Sequence, residues 1–260
     1  MSGQLVIVLV PSARSAAAIS LRTLFFAPPT DTSPTSRLPP ETKKRSLTVR
    51  QRSHDPMVRA ERYRSAMAVH LTRIYTRTGD DGTTGLSDFS RVPKNDPRVV
   101  AYADCDETNA SLGVVLALGN PSSKVVQVIR TIQSDLFDAG ADLSTPVVHE
   151  PKYPPLRIDQ TYIDRLEGWC DEFNEDLEPL TSFILPGGTP LGALLHAART
   201  VARRAERAAW AAVEASPDDT STLPAKYLNR LSDLLFILSR HANPEGDVQW
   251  VPGASRSTDG

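Results

Sequence analysis

Arg199-Thr-Val-Ala-Arg203-Arg204-Ala-Glu206-Arg207 is the stretch whose reading decides the fold. It lies inside an Ala/Leu-rich run from Pro190 to Ser216 that reads as one helix, with Thr189 as its cap and Pro190 in its first turn. At about 100° per residue, Leu191, Leu194, Leu195, Ala198, Ala202, Ala205, Ala209 and Ala212 form one apolar stripe. Arg199, Arg203, Glu206 and Arg207 fall on an adjoining stripe, and Arg204 points elsewhere. Taken alone, such a row of arginines reads as a solvated charged face. The rest of the chain decides whether it is more than that.

Four more helices flank this one. The first is capped by Asn95 or Asp96, carries Pro97 in its first turn, and runs to about Leu118, where Gly119-Asn120-Pro121 stops it. The second runs from Ser122 or Ser123 to about Ala141. A Pro-rich connector, 146–155, leads to a third that begins at Asp159 and ends before Pro179. The tight linker Phe183-Ile-Leu-Pro186-Gly187-Gly188 precedes the opening helix. A fifth runs from about Leu223 to Ala242. No strand-rich alternation intervenes, so the expected class is all-α, a five-helix bundle. In the fifth helix Asn229 and Asp233 share a face of an otherwise apolar segment. A buried carboxylate needs a cation, and the arginines of the fourth helix are the expected partners. A purely structural Arg–Asp network is the competing reading.

Composition separates two regions. Residues 1–66 contain seven prolines and carry 11 Lys/Arg against 4 Asp/Glu, whereas residues 67–260 carry 18 against 27. The acidic balance of the second region argues against a nucleic-acid surface there. The first region has little periodicity and reads as a disordered or non-native N-terminal extension; its Arg/Ser richness also resembles a transit peptide. The domain is expected over 67–245 and an irregular tail over 246–260. No apolar run reaches the length of a membrane span. Cys105 and Cys170 have no metal-ligand spacing, which suits a reducing compartment. The expected location is the cytoplasm, or the mitochondrial matrix if 1–66 is a transit peptide.

Thr76-Arg77-Thr78-Gly79-Asp80-Asp81-Gly82-Thr83-Thr84-Gly85 is too rich in Gly, Thr and Asp for regular structure. Its glycines let backbone NH groups converge, its hydroxyls can donate to phosphate, and Arg77 and Lys94 add positive charge. A plain surface turn is the simpler meaning, and no Gly-Lys-Ser/Thr follows to make it a Walker loop. The five histidines, His54, His70, His149, His196 and His241, show no ligand spacing, and His196 is expected to pack or cap. No Glu-x-x-His pair suits a di-metal bundle. Asp104, Asp106 and Glu107 cluster on the first helix, where they either complement the helix dipole or hold Mg²⁺ through water. Together these features suggest a polyanion site without a general base.

Five motifs now become recognisable in order: Tyr75-Thr76-Arg77-Thr78-Gly79-Asp80-Asp81-Gly82, Asp104-Cys-Asp106-Glu107-Thr-Asn109, Phe183-Ile-Leu-Pro186-Gly187-Gly188, Arg203-Arg204-Ala-Glu206-Arg207, and Tyr227-Leu-Asn229-Arg230-Leu-Ser-Asp233. They closely resemble the PduO-type ATP:cob(I)alamin adenosyltransferases and cover most of residues 70–243. The resemblance implies a homotrimer of five-helix bundles with active sites between subunits. It implies attack of cob(I)alamin on C5′ of ATP, giving adenosylcobalamin and triphosphate, with Mg²⁺ as cofactor and ATP and cobalamin as substrates. A reductase and an adenosylcobalamin-dependent mutase are implied partners; nucleic acid and membrane are not. By motif, Thr76, Arg77, Thr78, Gly79, Thr83, Thr84 and Lys94 bind ATP phosphates, and Arg203, Arg204, Glu206, Arg207 and Asn229 complete the nucleotide site. Arg204 joins them by family match alone. Arg203, Asp106 and Arg199 are the implied catalytic group, with Arg199 pairing across the subunit boundary to Asp106. Phe183 and Phe236, with Asp106, form the implied cobalamin side. Arg77 and Asp81 stand where many members have lysine; the first keeps the charge and the second removes one. A protein that carries adenosylcobalamin without making it is the alternative, although a carrier has no need of the ATP loop.

Overall fold

The computed structural model describes residues 75–151 and 154–255. The expected extension 1–66, residues 67–74 of the expected domain and residues 256–260 of the expected tail lie outside the described residues.

Among the described residues five helices carry the fold: α1 (Pro97–Leu118), α2 (Ser123–Leu143), α3 (Gln160–Asn174), α4 (Pro190–Ala215) and α5 (Leu223–His241). The starts of the first four are set by the expected caps, and Thr222 before α5 makes no side-chain cap bond. Asp96 accepts from Arg98 N, Ser122 from Val125 N, Asp159 from Thr161 N and Thr189 from Gly192 N, each satisfying a backbone donor that the helix itself leaves free. The one long departure is α3, which stops at Asn174 and leaves 175–178 outside the helix.

The all-α expectation is modified by a small hairpin. Strands β1 (Thr83–Gly85) and β2 (Arg91–Pro93) pair antiparallel, with Thr84 opposite Val92. Three residues per strand are too few for a period-two alternation to declare itself. Leu86, just after β1, belongs to the buried core, and the Ser87 NH donates to the Ser144 carbonyl at 3.1 Å, so the hairpin is seated on the bundle.

The helix α4 packs on α1 and α5; α2 covers α1, and α3 lies along α5. Ala198, Ala202, Ala205, Ala209 and Ala212 are no more than 1 % exposed, so the alanine stripe does face inward. Small side chains there let two neighbours approach one helix closely. Gly119, at the end of α1, meets Leu191 at the start of α4, and Arg98 at the start of α1 bonds Asp219 beyond the end of α4. These contacts make α1 and α4 antiparallel. Leu112, Ile129, Ile132, Leu136, Leu228, Leu231 and Leu235 fill the core.

Polar ties cross that core. Asp135 of α2 accepts from Arg165 of α3 at 2.6 Å and from Tyr227 of α5 at 3.0 Å, and Asp138 accepts from Tyr162 at 2.9 Å. Asp142 is bound by Arg157 at 2.6 Å and by the Ile158 NH at 2.9 Å. Burial holds Asp135, Asp138 and Asp142 above the ordinary carboxylate range, against the opposing pull of these donors.

Candidate active site

The Gly/Thr loop is held in shape by a residue that its motif does not contain. Arg91 on β2 donates to the Thr78 carbonyl at 2.7 Å and, through Nε, to Thr83 Oγ1 at 3.1 Å. It also lies 3.4 Å from Asp81. Asp81 in turn accepts from the backbone NH of Thr83 at 3.0 Å and from its hydroxyl at 2.8 Å. Those bonds, more than Arg91, hold the Asp81 carboxyl below its usual range. Asp81 is thus a structural acceptor inside the loop. The charge it removes is offset by Arg91. Arg77 adopts φ 63° and Gly82 φ 81°, the left-handed turns that bring the loop round. Lys94 lies across Gly79, where a Cβ would sit 3.2 Å from Nζ, so the glycine makes room for the ammonium group. The Thr76 and Thr78 hydroxyls share a hydrogen bond at 2.9 Å.

The arginine stripe of α4 divides by partner. Arg204 leaves the stripe, as its helical position requires, and crosses to α1, where it pairs with Glu107 and lies 3.7 Å from Asp104. The hydrogen bond it donates to Glu107 raises its pKa. Asp104 is raised by burial, with Arg204 pulling the other way. Two of the three acids expected to reach Mg²⁺, Asp104 and Glu107, are therefore engaged with an arginine. Among the described residues no group of three or more His, Cys, Asp or Glu side chains is arranged to hold a metal ion. Arg203 and Arg207 are exposed. Arg203 is only 4.0 Å from Glu206, and Arg207 donates to the Arg203 carbonyl at 3.1 Å. Among the described residues Lys94, Arg199 and Arg207 have no carboxylate within ion-pair distance.

Arg199 lies over the Phe236 ring at 5.9 Å, and His196 packs edge-on to the same ring at 6.1 Å. The Arg199 Nε is buried without a partner, and burial lowers the pKa of the group. His196 is buried as expected and bonds Ser239 at 3.2 Å; burial, then Arg199, lowers its pKa. Within the chain Asp106 and Arg199 do not meet. Asp106 is exposed on α1, and partial burial raises its pKa.

The expected pairing of Asp233 with the α4 arginines does not form. Arg230, one turn back on α5, takes Asp233 at 2.5 Å and also reaches Glu167 of α3 at 3.0 Å. The Asp233 side chain is 47 % exposed, so the burial that demanded a partner from α4 is absent. Asn229 is exposed beside it. Phe183 is 79 % exposed and packs on Trp250 at 6.1 Å. The tail expected to be irregular is tied in here: Ile184 and Gln249 form an antiparallel bridge.

Within one chain the Gly/Thr loop leads into the β1–β2 hairpin, the arginine stripe lies on α4, and Phe183 lies on the linker before α4. A helical bundle with a turn-rich cationic loop and an open row of arginines defines a class of anion-handling helical proteins. The model of the cobalamin adenosyltransferase family matches residues 74–242. The chain is 73 % identical over 191 residues to a corrinoid adenosyltransferase of Mycobacterium bovis, covering 74 % of this chain and 99 % of the relative. It is 36 % identical over 181 residues to a human corrinoid adenosyltransferase, covering 68 % and 72 %. A solved PduO-type ATP:corrinoid adenosyltransferase from Lactobacillus reuteri, a phenylalanine-to-alanine variant complexed with cobalamin and ATP, superposes with a TM-score of 0.62 at 34 % identity, over 68 % of this chain and 99 % of that one. The chain belongs to the cobalamin adenosyltransferase family and is an enzyme of the PduO type, moving the adenosyl group of ATP onto a corrinoid. Among the described residues no helix is long and apolar enough to cross a membrane.

Proposed function

We propose that this chain joins the 5′-carbon of ATP to cob(I)alamin at a site completed by a neighbouring copy, using the loop and the α4 stripe on the triphosphate and the Phe183–Phe236 side on the corrinoid. The observation that carries this reading is that, among the described residues, Lys94, Arg199 and Arg207 have no carboxylate within ion-pair distance, and that Arg203 is only weakly paired. Cations left open in this way are suited to a polyanion. In the reaction the Co(I) electron pair forms the Co–C5′ bond, the C5′–O bond breaks, and triphosphate leaves with that electron pair. No proton has to be removed, so no general base is needed. What the chain must supply is position and charge.

Thr76, Arg77, Thr78, Gly79, Thr83, Thr84 and Lys94 hold the phosphates through backbone NH, hydroxyl and ammonium donors. Arg203, Glu206, Arg207 and Asn229 complete the nucleotide site, and Arg203 bears on the charge that grows as triphosphate departs. Arg204, anchored by Glu107 and Asp104, backs this field from the α1 side. Mg²⁺ in this reading accompanies the triphosphate, since the described residues offer it no cage. Asp106 and Arg199 join subunits of a homotrimer. A reductase that supplies the electron and a mutase that takes the product are the partners this chemistry calls for, in the cytoplasm or in the mitochondrial matrix.

The test is direct. Protein, ATP, Mg²⁺ and cobalamin under strong reduction should convert the Co(I) spectrum to that of an alkylcobalamin, with one triphosphate released per corrinoid. Well-folded protein that binds the corrinoid and releases no triphosphate would instead be a carrier. For Arg203→Ala, loss of one charge-assisted contact should lower turnover by roughly 30- to 1000-fold, or about 2–4 kcal/mol. Turnover within about twofold of the parent would remove Arg203 from the assigned role.

A further inference from the structure

Phe183 stands on a loop that apolar burial does not hold. Phe183 is 79 % exposed and Leu185 50 %. What fixes the loop is hydrogen bonding, and almost all of it comes from beyond α5. The Trp250 NH donates to the Phe183 carbonyl at 2.7 Å, the Leu185 NH to the Val248 carbonyl at 2.8 Å, and the Ser182 hydroxyl to the Trp250 carbonyl at 2.8 Å. A strand of the tail is thus the immediate support of Phe183. That strand is itself exposed, with Val248 at 64 %.

The strand is secured by a polar latch. Asn243, just past the end of α5, is buried and uses both ends of its amide. Its oxygen accepts from the Thr189 NH at 3.0 Å, and its nitrogen donates to the Gly187 carbonyl at 3.2 Å and to Asp247 at 3.3 Å. Asp247 also takes Arg240 Nε at 2.8 Å, with both side chains only 10 % exposed, and Arg240 donates to the Glu178 carbonyl at 2.7 Å. The cavity that receives the amide exists because two residues have no side chain. A Cβ on Gly188, which has φ +93°, would lie 2.3 Å from the Asn243 oxygen, and one on Gly192 would lie 2.5 Å from it. One amide therefore fixes the exit of the Phe183 loop, the start of α4 and the root of the tail strand together.

We propose that Asn243, with the Arg240–Asp247 pair behind it, is a positioning site for the corrinoid reaction. It sets the places of Phe183 and Trp250 while touching neither ring. This rests on the reading of Phe183 as corrin-facing. Breaking the latch frees the loop and the tail strand together. The nucleotide loop, which leads into the β1–β2 hairpin and shares no hydrogen bond with the latch among the described residues, is left as it was.

Asp247→Ala is the primary variant, because Asp247 lies outside the helices. Asn243→Ala is the second. With Trp169→Phe and Trp210→Phe in the background, Trp250 is the sole tryptophan and reports directly on the strand. Both latch variants should shift its emission to the red, increase its quenching by acrylamide, and raise the corrinoid KM by about five- to tenfold, while the ATP KM stays within about twofold. Asp247→Asn, which can still accept from Arg240, should restore most of both signals. Phe183→Ala separates the two readings. If it leaves the corrinoid KM unchanged, Phe183 is not corrin-facing and the proposal falls with that reading. If it raises the KM while Asp247→Ala and Asn243→Ala do not, or do so without moving Trp250, the positioning role alone is overturned.

Discussion

At the residue scale, Arg91 shows how a binding loop is kept in shape by a side chain outside its motif. Its guanidinium gathers the Thr78 carbonyl, Thr83 Oγ1 and Asp81 around one centre. Its replacement by alanine should leave those groups to water and blur the loop. Because Arg91 is exposed, the stability cost should stay below about 1 kcal/mol. The ATP KM should rise by about three- to tenfold, with the corrinoid KM little changed. Equal rises in both constants would place Arg91 in general folding and not in the loop. This residue was not legible in the sequence, since thirteen positions separate Arg91 from Thr78 and only the β1–β2 pairing brings them together. Arg204 was legible in part: its helical angle put it off the stripe, but the acids it meets belong to α1 and could be matched to it only once α1 and α4 were seen to pack antiparallel.

At the element scale, the starts of α1 to α4 were readable because each depends on chemistry written next to it, as with Asp96 before Pro97 or Thr189 before Pro190. The end of α3 has no such mark, and the tail strand depends on a partner some 65 residues away in sequence, Ile184 against Gln249. The ties between helices are equally non-local. Asp138 of α2 is half-buried, accepts from Tyr162 of α3, and has its carboxyl raised chiefly by that burial and further by Asp135. A carboxyl whose folded pKa lies above its unfolded value binds its proton more tightly in the native state. Its contribution is therefore most favourable at low pH and is lost as pH rises from the unfolded value, about 4, through the raised folded value. Asp138→Asn keeps an acceptor for Tyr162 and removes the titration. Denaturant unfolding of the two proteins should show the parent gaining stability relative to the variant as pH falls from neutral into that window. A difference independent of pH would show that Asp138 titrates in the native state as it does in the unfolded chain.

At the scale of the whole molecule, two opposite charges stand unmatched on different helices. Arg199 keeps a buried Nε with no acceptor, and Asp106 has its carboxyl raised by burial. Neither has an ion-pair partner within the chain among the described residues. An unsatisfied buried donor costs about 1–3 kcal/mol, and a second copy that brings Asp106 to Arg199 removes that cost. Trp210 on α4, Phe137 on α2, and Val114 and Leu118 on α1 are each at least 40 % exposed in the single chain, apolar surface of the kind a subunit contact covers. Native mass measurement should therefore give a trimer. Asp106→Asn and Arg199→Gln should each lower the concentration range over which it persists, and each should weaken corrinoid binding. The double variant discriminates further. If the two side chains meet across the boundary, the second substitution costs little once the first is made, leaving a coupling of roughly 0.5–3 kcal/mol in trimer stability. Additive losses, or a trimer unaffected by either change, would separate Asp106 from Arg199 and require another acceptor for the buried guanidinium.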